Sequence, residues 1–161
     1  MRAPLGKHVS GIAVAAIGAL ALTVAAGAQT DPMAGTWKLD VAKSTYKPGP
    51  APKSATAVIE AVGKGLKVSV DAVMAEGPMK WSYSSEGDGK DVPVTGNPSY
   101  DTANVTRSSP TESTIVYKKA GKAIVTLKAS VAKDGKTMTT TSEGTDAKGQ
   151  KMHNVGHYTK Q

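Results

Sequence analysis

Arg107 is the residue with the clearest potential for binding chemistry in this 161-residue chain. Ala103, Val105 and Arg107 are spaced two residues apart, which predicts that all three point to the same side of one strand. If that side is interior, the guanidinium can bind the carboxylate of a ligand through paired hydrogen bonds. Another interpretation stays open. Because Arg107 precedes Ser108-Ser109-Pro110, it could reach the rim of the fold and there cap Trp37 or pair with a surface acid.

Several aromatic residues could line a pocket, stacking on an apolar or aromatic ligand while their hydroxyls fix its orientation. They are Trp81, Tyr83, Tyr100 and Tyr117. Ordinary core aromatics look the same in a sequence. Met138 lies inside the β-branched run 137–141 and is a further candidate for the interior. We therefore take five residues as candidate ligand-binding residues: Arg107, Trp81, Tyr83, Tyr117 and Met138.

His153 and His157 are the only histidines after residue 28. Their spacing suits a metal on a helix, but four residues of a strand span roughly 13 Å, too far for both rings to bind one ion. There is no cysteine and no Gly-x-Ser-x-Gly motif, and the sequence does not place either histidine beside a serine. We predict no metal, no cofactor and no catalytic residue.

The elements that must position these side chains are strands. Turn signals recur about every ten to fourteen residues and separate short runs in which apolar and polar residues alternate, as in Leu66 to Ala72 and Ala123 to Val131. This rhythm predicts an all-β fold, an antiparallel up-and-down meander of about eight to ten strands that closes into a barrel. The interior would be built from small residues, because the chain has no Phe and many inward positions are alanine.

The first residues have the features of a secretory signal peptide. Arg2 and Lys7 give a basic start, residues 11–26 are apolar, and Ala26-Gly27-Ala28 is a small-residue cleavage site. We predict a signal peptide over 1–28, a barrel domain over 29–161, and a periplasmic or secreted location without stable membrane insertion after cleavage. Removing Arg2 and Lys7 from the formal charge of +7 leaves +5, carried by scattered lysines, which argues against nucleic acid as a partner.

Gly35-x-Trp37 near the start of the predicted domain, followed by a meander that ends in Val155 to Lys160, resembles the calycins, meaning lipocalins and fatty-acid-binding proteins. The first strand is similar to that of small exported bacterial lipocalin-like proteins. The resemblance implies that Gly35 allows a close approach of the chain and that the Trp37 indole closes one end of the barrel, under an arginine or a lysine.

The sequence also departs from these families. A proline-rich segment, 47–53, stands where fatty-acid-binding proteins have a helical lid. Their last strand carries an Arg-x-Tyr pair that holds a carboxylate, and here Gly156 stands two residues before Tyr158. The lipocalin disulfides are absent as well. The resemblance therefore supports the fold more than any particular ligand.

These features predict an exported, monomeric, non-enzymatic carrier of a small apolar or amphipathic molecule, anionic if Arg107 contacts it. Two alternatives stay open: an envelope interaction or stress protein whose barrel is packed solid, and a hydrolase or isomerase on the same scaffold. The interior volume decides between the first two, because a cavity below about 300 Å³ excludes drug-sized ligands.

Overall fold

The computed structural model describes residues 30–146 and 148–161, and the predicted signal peptide over 1–28 lies outside them. Within these residues the chain forms eleven strands and one short 3-10 turn at Val41–Lys43. The strands are β1 Gly35–Leu39, β2 Thr45–Lys47, β3 Ser54–Val62, β4 Gly65–Met74, β5 Gly77–Ser85, β6 Asp88–Pro93, β7 Thr102–Ser109, β8 Glu112–Lys119, β9 Lys122–Val131, β10 Thr137–Thr145 and β11 Lys151–Lys160. In the same part of the chain no helix is long and apolar enough to cross a membrane.

Ten of these strands form one antiparallel sheet in the order β5-β4-β3-β1-β11-β10-β9-β8-β7-β6, with the short β2 paired to β11. Every neighbour in this order is also next in the chain, except that β1 lies between β3 and β11. The two edge strands of the sheet are β5 and β6. Ser82 on β5 and Thr95, two residues after β6, exchange two backbone hydrogen bonds of 2.9 Å. The sheet is thus a nearly closed up-and-down barrel, and the predicted all-β, antiparallel up-and-down barrel is confirmed.

One end of the barrel is built around Trp37, and we call it the Trp37 end. The indole is completely buried, and its N–H donates to the carbonyl of Met33 over 2.8 Å. Lys160 on β11 holds its ammonium 5.0 Å from the ring centre, a cation–π contact. Gly35 has a φ of +141°, and a Cβ there would collide with the Lys160 side chain. The positive φ is what favours glycine here, because residues other than glycine rarely adopt it, whereas the flexible end of Lys160 could move aside.

The opposite end, which we call the Tyr46 end, is crossed by the 3-10 turn, β2 and residues 48–53. β2 pairs with β11 through Tyr46 opposite Asn154. Asn154 Oδ1 also accepts a hydrogen bond of 3.1 Å from the backbone N–H of Lys47. Pro52, in the connection that follows, is buried. The proline-rich segment therefore forms part of the cover at this end.

The buried apolar residues form three clusters. One surrounds Trp37, a second contains Tyr83 and Tyr117, and a third contains Leu39 and Ala72. Half-buried residues connect them: Val68 and Leu127 pack against the first two, and Tyr158 packs against the first and the third. Leu66, Val68 and Val70 point inward from β4 but are only half-buried. Inward side chains that remain accessible indicate a space between the clusters.

Candidate ligand cavity

A cavity of about 260 Å³ lies inside the barrel. Its walls are mainly aliphatic and aromatic side chains that point inward from both halves of the sheet, and Arg107 is the one charged residue among the lining residues described. The interior is therefore not packed solid. The volume is below the range of about 300–1,000 Å³ that is typical of pockets for drug-sized ligands, so a ligand that fits must be smaller.

All five candidate ligand-binding residues line this cavity: Arg107, Trp81, Tyr83, Tyr117 and Met138. Met138 is buried and belongs to the same core cluster as Trp37. The alternating pattern thus placed side chains from four strands around one space. Whether they contact a ligand remains a prediction.

Arg107 reaches the Trp37 end, where its guanidinium is already paired with a carboxylate of the chain. Nη1 lies 2.5 Å from Asp31 Oδ2, Nη2 lies 3.1 Å from Asp31 Oδ1, and Nη2 also donates to the carbonyl of Pro110 over 2.6 Å. About a quarter of each side chain is exposed, 22% for Arg107 and 23% for Asp31. The fork that could hold a ligand carboxylate is occupied by Asp31, and Trp37 is capped by Lys160 instead.

The pKa of Asp31 reflects this setting. Partial burial acts to raise it, but the hydrogen bonds from Arg107 and from the backbone N–H of Met33, together with the positive charges of Arg107 and Lys160, outweigh burial and hold the pKa below its usual value. Asp31 is thus charged at neutral pH and neutralises Arg107. The Arg107–Asp31 pair therefore adds no net charge to the cavity wall.

The segment around Met33 closes the Trp37 end. Met33 is buried and lines the cavity. Its backbone N–H donates to Asp31 Oδ1 over 2.9 Å, and its sulfur accepts from Ser113 Oγ at 3.2 Å. Lys160 Nζ donates to the carbonyl of Pro32 over 3.2 Å. Side-chain contacts to β7, β8 and β11 therefore fix this segment across the end of the barrel.

An aromatic cluster forms part of the cavity wall. The rings of Tyr83 and Tyr117 meet edge to face, with centres 6.0 Å apart at 78°, and Tyr100 stacks on Tyr117 at 4.8 Å and 21°. Burial raises the pKa of Tyr83 to about 12 and raises the pKa of Tyr117 well above its usual value. The hydroxyls are therefore protonated at neutral pH and can donate hydrogen bonds. Trp81 Nε1 is buried and has no hydrogen-bond partner among the described residues.

Tyr158 and Gly156 occupy the positions at which the fatty-acid-binding proteins carry their anion-binding pair. Both line the cavity, and burial raises the pKa of Tyr158. A Cβ on Gly156 would lie 2.7 Å from Thr140 Oγ1 and 3.0 Å from Tyr158 Cε2. An arginine at this position would require the side chains of Thr140 and Tyr158 to shift.

The two histidines of β11 lie on the outer face of the barrel. Met152, Asn154, Gly156 and Tyr158 line the cavity, so the alternate residues His153 and His157 point away from it. His153 Nδ1 lies 3.1 Å from Glu143 Oε1, and His157 Nδ1 lies 3.5 Å from Thr139 Oγ1. Over 30–146 and 148–161, no three His, Asp or Glu side chains are grouped closely enough to hold a metal ion.

Some lining residues were not predicted. Met33 precedes the first strand, and Tyr46 lies on a strand of three residues that is too short to show alternation. Tyr158 and Asn154 lie on β11, whose facing the sequence leaves open. The sequence of β11 gives little signal for its inward side, because Asn154 is polar and lines the cavity, whereas Val155 is apolar and points away from it.

Comparisons with known proteins give little beyond this description. No protein-family model and no curated protein sequence matches the chain. Among solved structures, the siderocalin Ex-FABP, described as functioning through dual ligand specificities, overlaps 81% of this chain and 71% of its own. The sequence identity is 14% and the TM-score 0.46. This structural similarity is too low to indicate a function. The barrel architecture is established by the strand order alone.

Proposed function

We propose that this is an exported, non-enzymatic protein that binds a small, neutral, mainly apolar molecule inside its barrel. The observation that carries the proposal is the mainly apolar cavity of about 260 Å³, which is lined by members of all three core clusters. Export rests on the signal-peptide features of residues 1–28. The binding role rests on the cavity and its lining.

The volume sets the size of the ligand. An apolar cavity of about 150 Å³ holds one benzene molecule, so by proportion this one accommodates about ten non-hydrogen atoms. A two-ring aromatic molecule has this size, whereas a long-chain fatty acid does not fit. A ligand of this size that fills the cavity well binds with a Kd of the order of 10 µM.

The pairing of Arg107 with Asp31 favours a neutral ligand. An anion that used the guanidinium would have to displace Asp31, which forms two of its hydrogen bonds. The displaced carboxylate would then lie partly buried without its partner, and the loss of a charged hydrogen-bonding partner costs about 1–3 kcal/mol. The anionic ligand that Arg107 suggested in the sequence is therefore disfavoured.

Calorimetric titration with naphthalene and with 1-naphthoate tests the proposal, because these ligands share a ring system and differ in charge. We expect saturable one-to-one binding of naphthalene and at least tenfold weaker binding of 1-naphthoate. Native mass spectrometry of gently purified protein should show added mass. If neither compound binds and no added mass is found, the binding role is wrong, and tighter binding of 1-naphthoate would restore Arg107 as an anion-binding residue.

A further inference from the structure

One part of the cavity wall is polar. Tyr46 on β2, Asn154 on β11 and Ser142 on β10 are direct cross-strand partners, and all three line the cavity. Directly opposite residues share one face of a sheet, with Cβ atoms about 4.5–5.5 Å apart. Thr140, two residues before Ser142 on β10, lines the cavity as well. We call these four side chains the polar row.

Most of the hydrogen-bonding capacity of the polar row is unused. Asn154 Oδ1 accepts from the backbone N–H of Lys47. Within residues 30–146 and 148–161, no hydrogen bond uses Asn154 Nδ2 or the hydroxyls of Ser142 and Thr140. Ser142 is only 9% exposed and lines the cavity, so its hydroxyl is available to a molecule inside the barrel.

The polar lining residues at the Trp37 end differ, because they already have partners. The guanidinium of Arg107 is paired with Asp31, and Ser113 Oγ donates to the sulfur of Met33. A polar group on a ligand therefore finds free partners at the polar row and not at the Trp37 end.

The side chains of Thr140 and Tyr158 converge above Gly156, beside the polar row. Gly156 lies directly opposite Thr140, and Thr140 Oγ1 and Tyr158 Cε2 both lie within 3.0 Å of the point that a Cβ on Gly156 would occupy. Cε2 is bonded to the ring carbon that carries the hydroxyl. Tyr158 thus brings a further hydroxyl close to that of Thr140, on the same wall of the cavity.

The chemistry of these groups defines the polar group that they can bind. The nitrogen of Asn154 can only donate, whereas a hydroxyl can also accept. A primary carboxamide is complementary, because its oxygen accepts one hydrogen bond or more and its nitrogen has two hydrogens to donate. The polar row contains no cation, so a carboxylate bound there would be buried without a charged partner, which is unfavourable.

We propose that the bound molecule is a small apolar ring that carries a primary carboxamide, and that the polar row binds this group. Asn154 Nδ2 donates to the carboxamide oxygen, and the hydroxyls of Ser142 and Thr140 accept from its nitrogen. The ring lies in the apolar part of the cavity. This inference rests on the proposed function and narrows its ligand class.

Four probes with the same number of non-hydrogen atoms and nearly the same shape separate the possible ligand classes. Cumene has no polar group, acetophenone only accepts, benzamide accepts and donates, and benzoate is charged. The readout is the ratio of benzamide to cumene affinity from calorimetric titration. Comparing this ratio between the wild type and a variant cancels the hydration of the probes and the shared cost of filling the cavity. We expect benzoate to bind about tenfold more weakly than benzamide, or weaker still.

In Ser142→Ala we expect the benzamide-to-cumene ratio to fall about fivefold, the effect of one hydrogen bond of about 1 kcal/mol. Thr140→Val removes the other hydroxyl at nearly constant volume and should lower the ratio to a similar extent. The acetophenone-to-cumene ratio should stay within about twofold in both variants, because Asn154 binds the carbonyl oxygen. Thr141→Val is the matched control, since it makes the same change on the outer face of β10 and should keep the wild-type ratio.

A fall in the benzamide ratio in either variant that Thr141→Val does not share supports the inference. An unchanged ratio in both Ser142→Ala and Thr140→Val, with cumene still bound, overturns it and leaves the cavity as a binding site. An equal fall in Thr141→Val, or tighter binding of benzoate than of benzamide, also overturns it. Absence of binding by cumene, acetophenone and benzamide overturns both this inference and the proposed function. If Ser142→Ala does not fold, the Thr140→Val ratio decides.

Discussion

At the scale of single residues, the Asp31 and Arg107 pair connects the segment before β1 to β7. The sequence predicted the side of the strand on which Arg107 lies, because it shares the two-residue period of Ala103 and Val105. It could not predict the partner, since Asp31 is 76 residues away and precedes every predicted strand. Arg107 lines the cavity and also reaches the rim, so both sequence interpretations describe part of its position.

Removing this pair should destabilise the barrel in a pH-dependent way. We expect Asp31→Asn to lower the free energy of unfolding by about 1–3 kcal/mol at neutral pH. Because the pKa of Asp31 is lowered in the folded state, its contribution is present above the unfolded pKa of about 3.9 and is lost as the pH falls through the folded value. Urea titrations at several pH values should therefore show the wild type and the variant converging in acid.

Asp71→Asn is the control for this experiment. Asp71 also pairs with a cation, Lys80, but the two side chains are 53% and 75% exposed. An exposed pair of this kind contributes about 0–1 kcal/mol. Equal losses in the two variants, or a loss in Asp31→Asn that persists in acid, would contradict a specific role for the Arg107 contact.

At the scale of elements, strands with regular alternation could be predicted from the sequence, and short or irregular strands could not. β9 alternates as predicted from Val125 to Val131, but the prediction that Ala123 faces inward is wrong, because Ala123 is exposed where the pairing with β8 shifts register. β6 has no alternation by which it could be predicted, because Asp88-Gly89-Lys90-Asp91 has the composition of a turn, and its pairing with β7 is interrupted by a register shift between Asp88 and Asp91. β2 has three residues and depends on β11 for its conformation. Such elements are set by tertiary pairing, which a local pattern does not contain.

The close contact of β10 and β11 gives a prediction at this scale. We expect Gly156→Ala to lower the free energy of unfolding by about 1–3 kcal/mol, because the new methyl group meets Thr140 Oγ1 and the Tyr158 ring. The loss should be smaller in a Thr140→Ala background, where the hydroxyl is gone. Thr141→Ala, on the outer face of β10, is the matched background and should give no relief. Equal losses in both backgrounds would show that the collision with Thr140 is not the cause.

At the scale of the whole molecule, the barrel could be predicted from its alternation and turns, whereas the cavity could not. The sequence showed that the interior is built from small residues, which is compatible with either tight packing or a void. Which of the two occurs depends on how the two halves of the sheet meet. Here they leave Leu66, Val68 and Val70 half-buried around an open space.

Filling that space tests whether it exists in solution. Val68 points into the cavity, so the phenyl ring of Val68→Phe should occupy it and reduce naphthalene affinity more than tenfold. Because the added atoms enter empty space, the free energy of unfolding should change by less than about 1 kcal/mol, whereas overpacking a solid core costs about 1–3 kcal/mol. Val116→Phe, on the outer face of β8, should leave naphthalene affinity as it is. A large loss of stability in Val68→Phe would support the solidly packed barrel.

The positions of the two tryptophans should make intrinsic fluorescence sensitive to ligand binding. Trp81 lies at the cavity wall, whereas Trp37 is sealed beneath Lys160 at the other end of the interior. A ligand in the cavity should change the environment of Trp81 and leave the environment of Trp37 unchanged. Intrinsic emission can therefore report occupancy without a dye, and replacing Trp37 would isolate the responsive signal for screening compound collections.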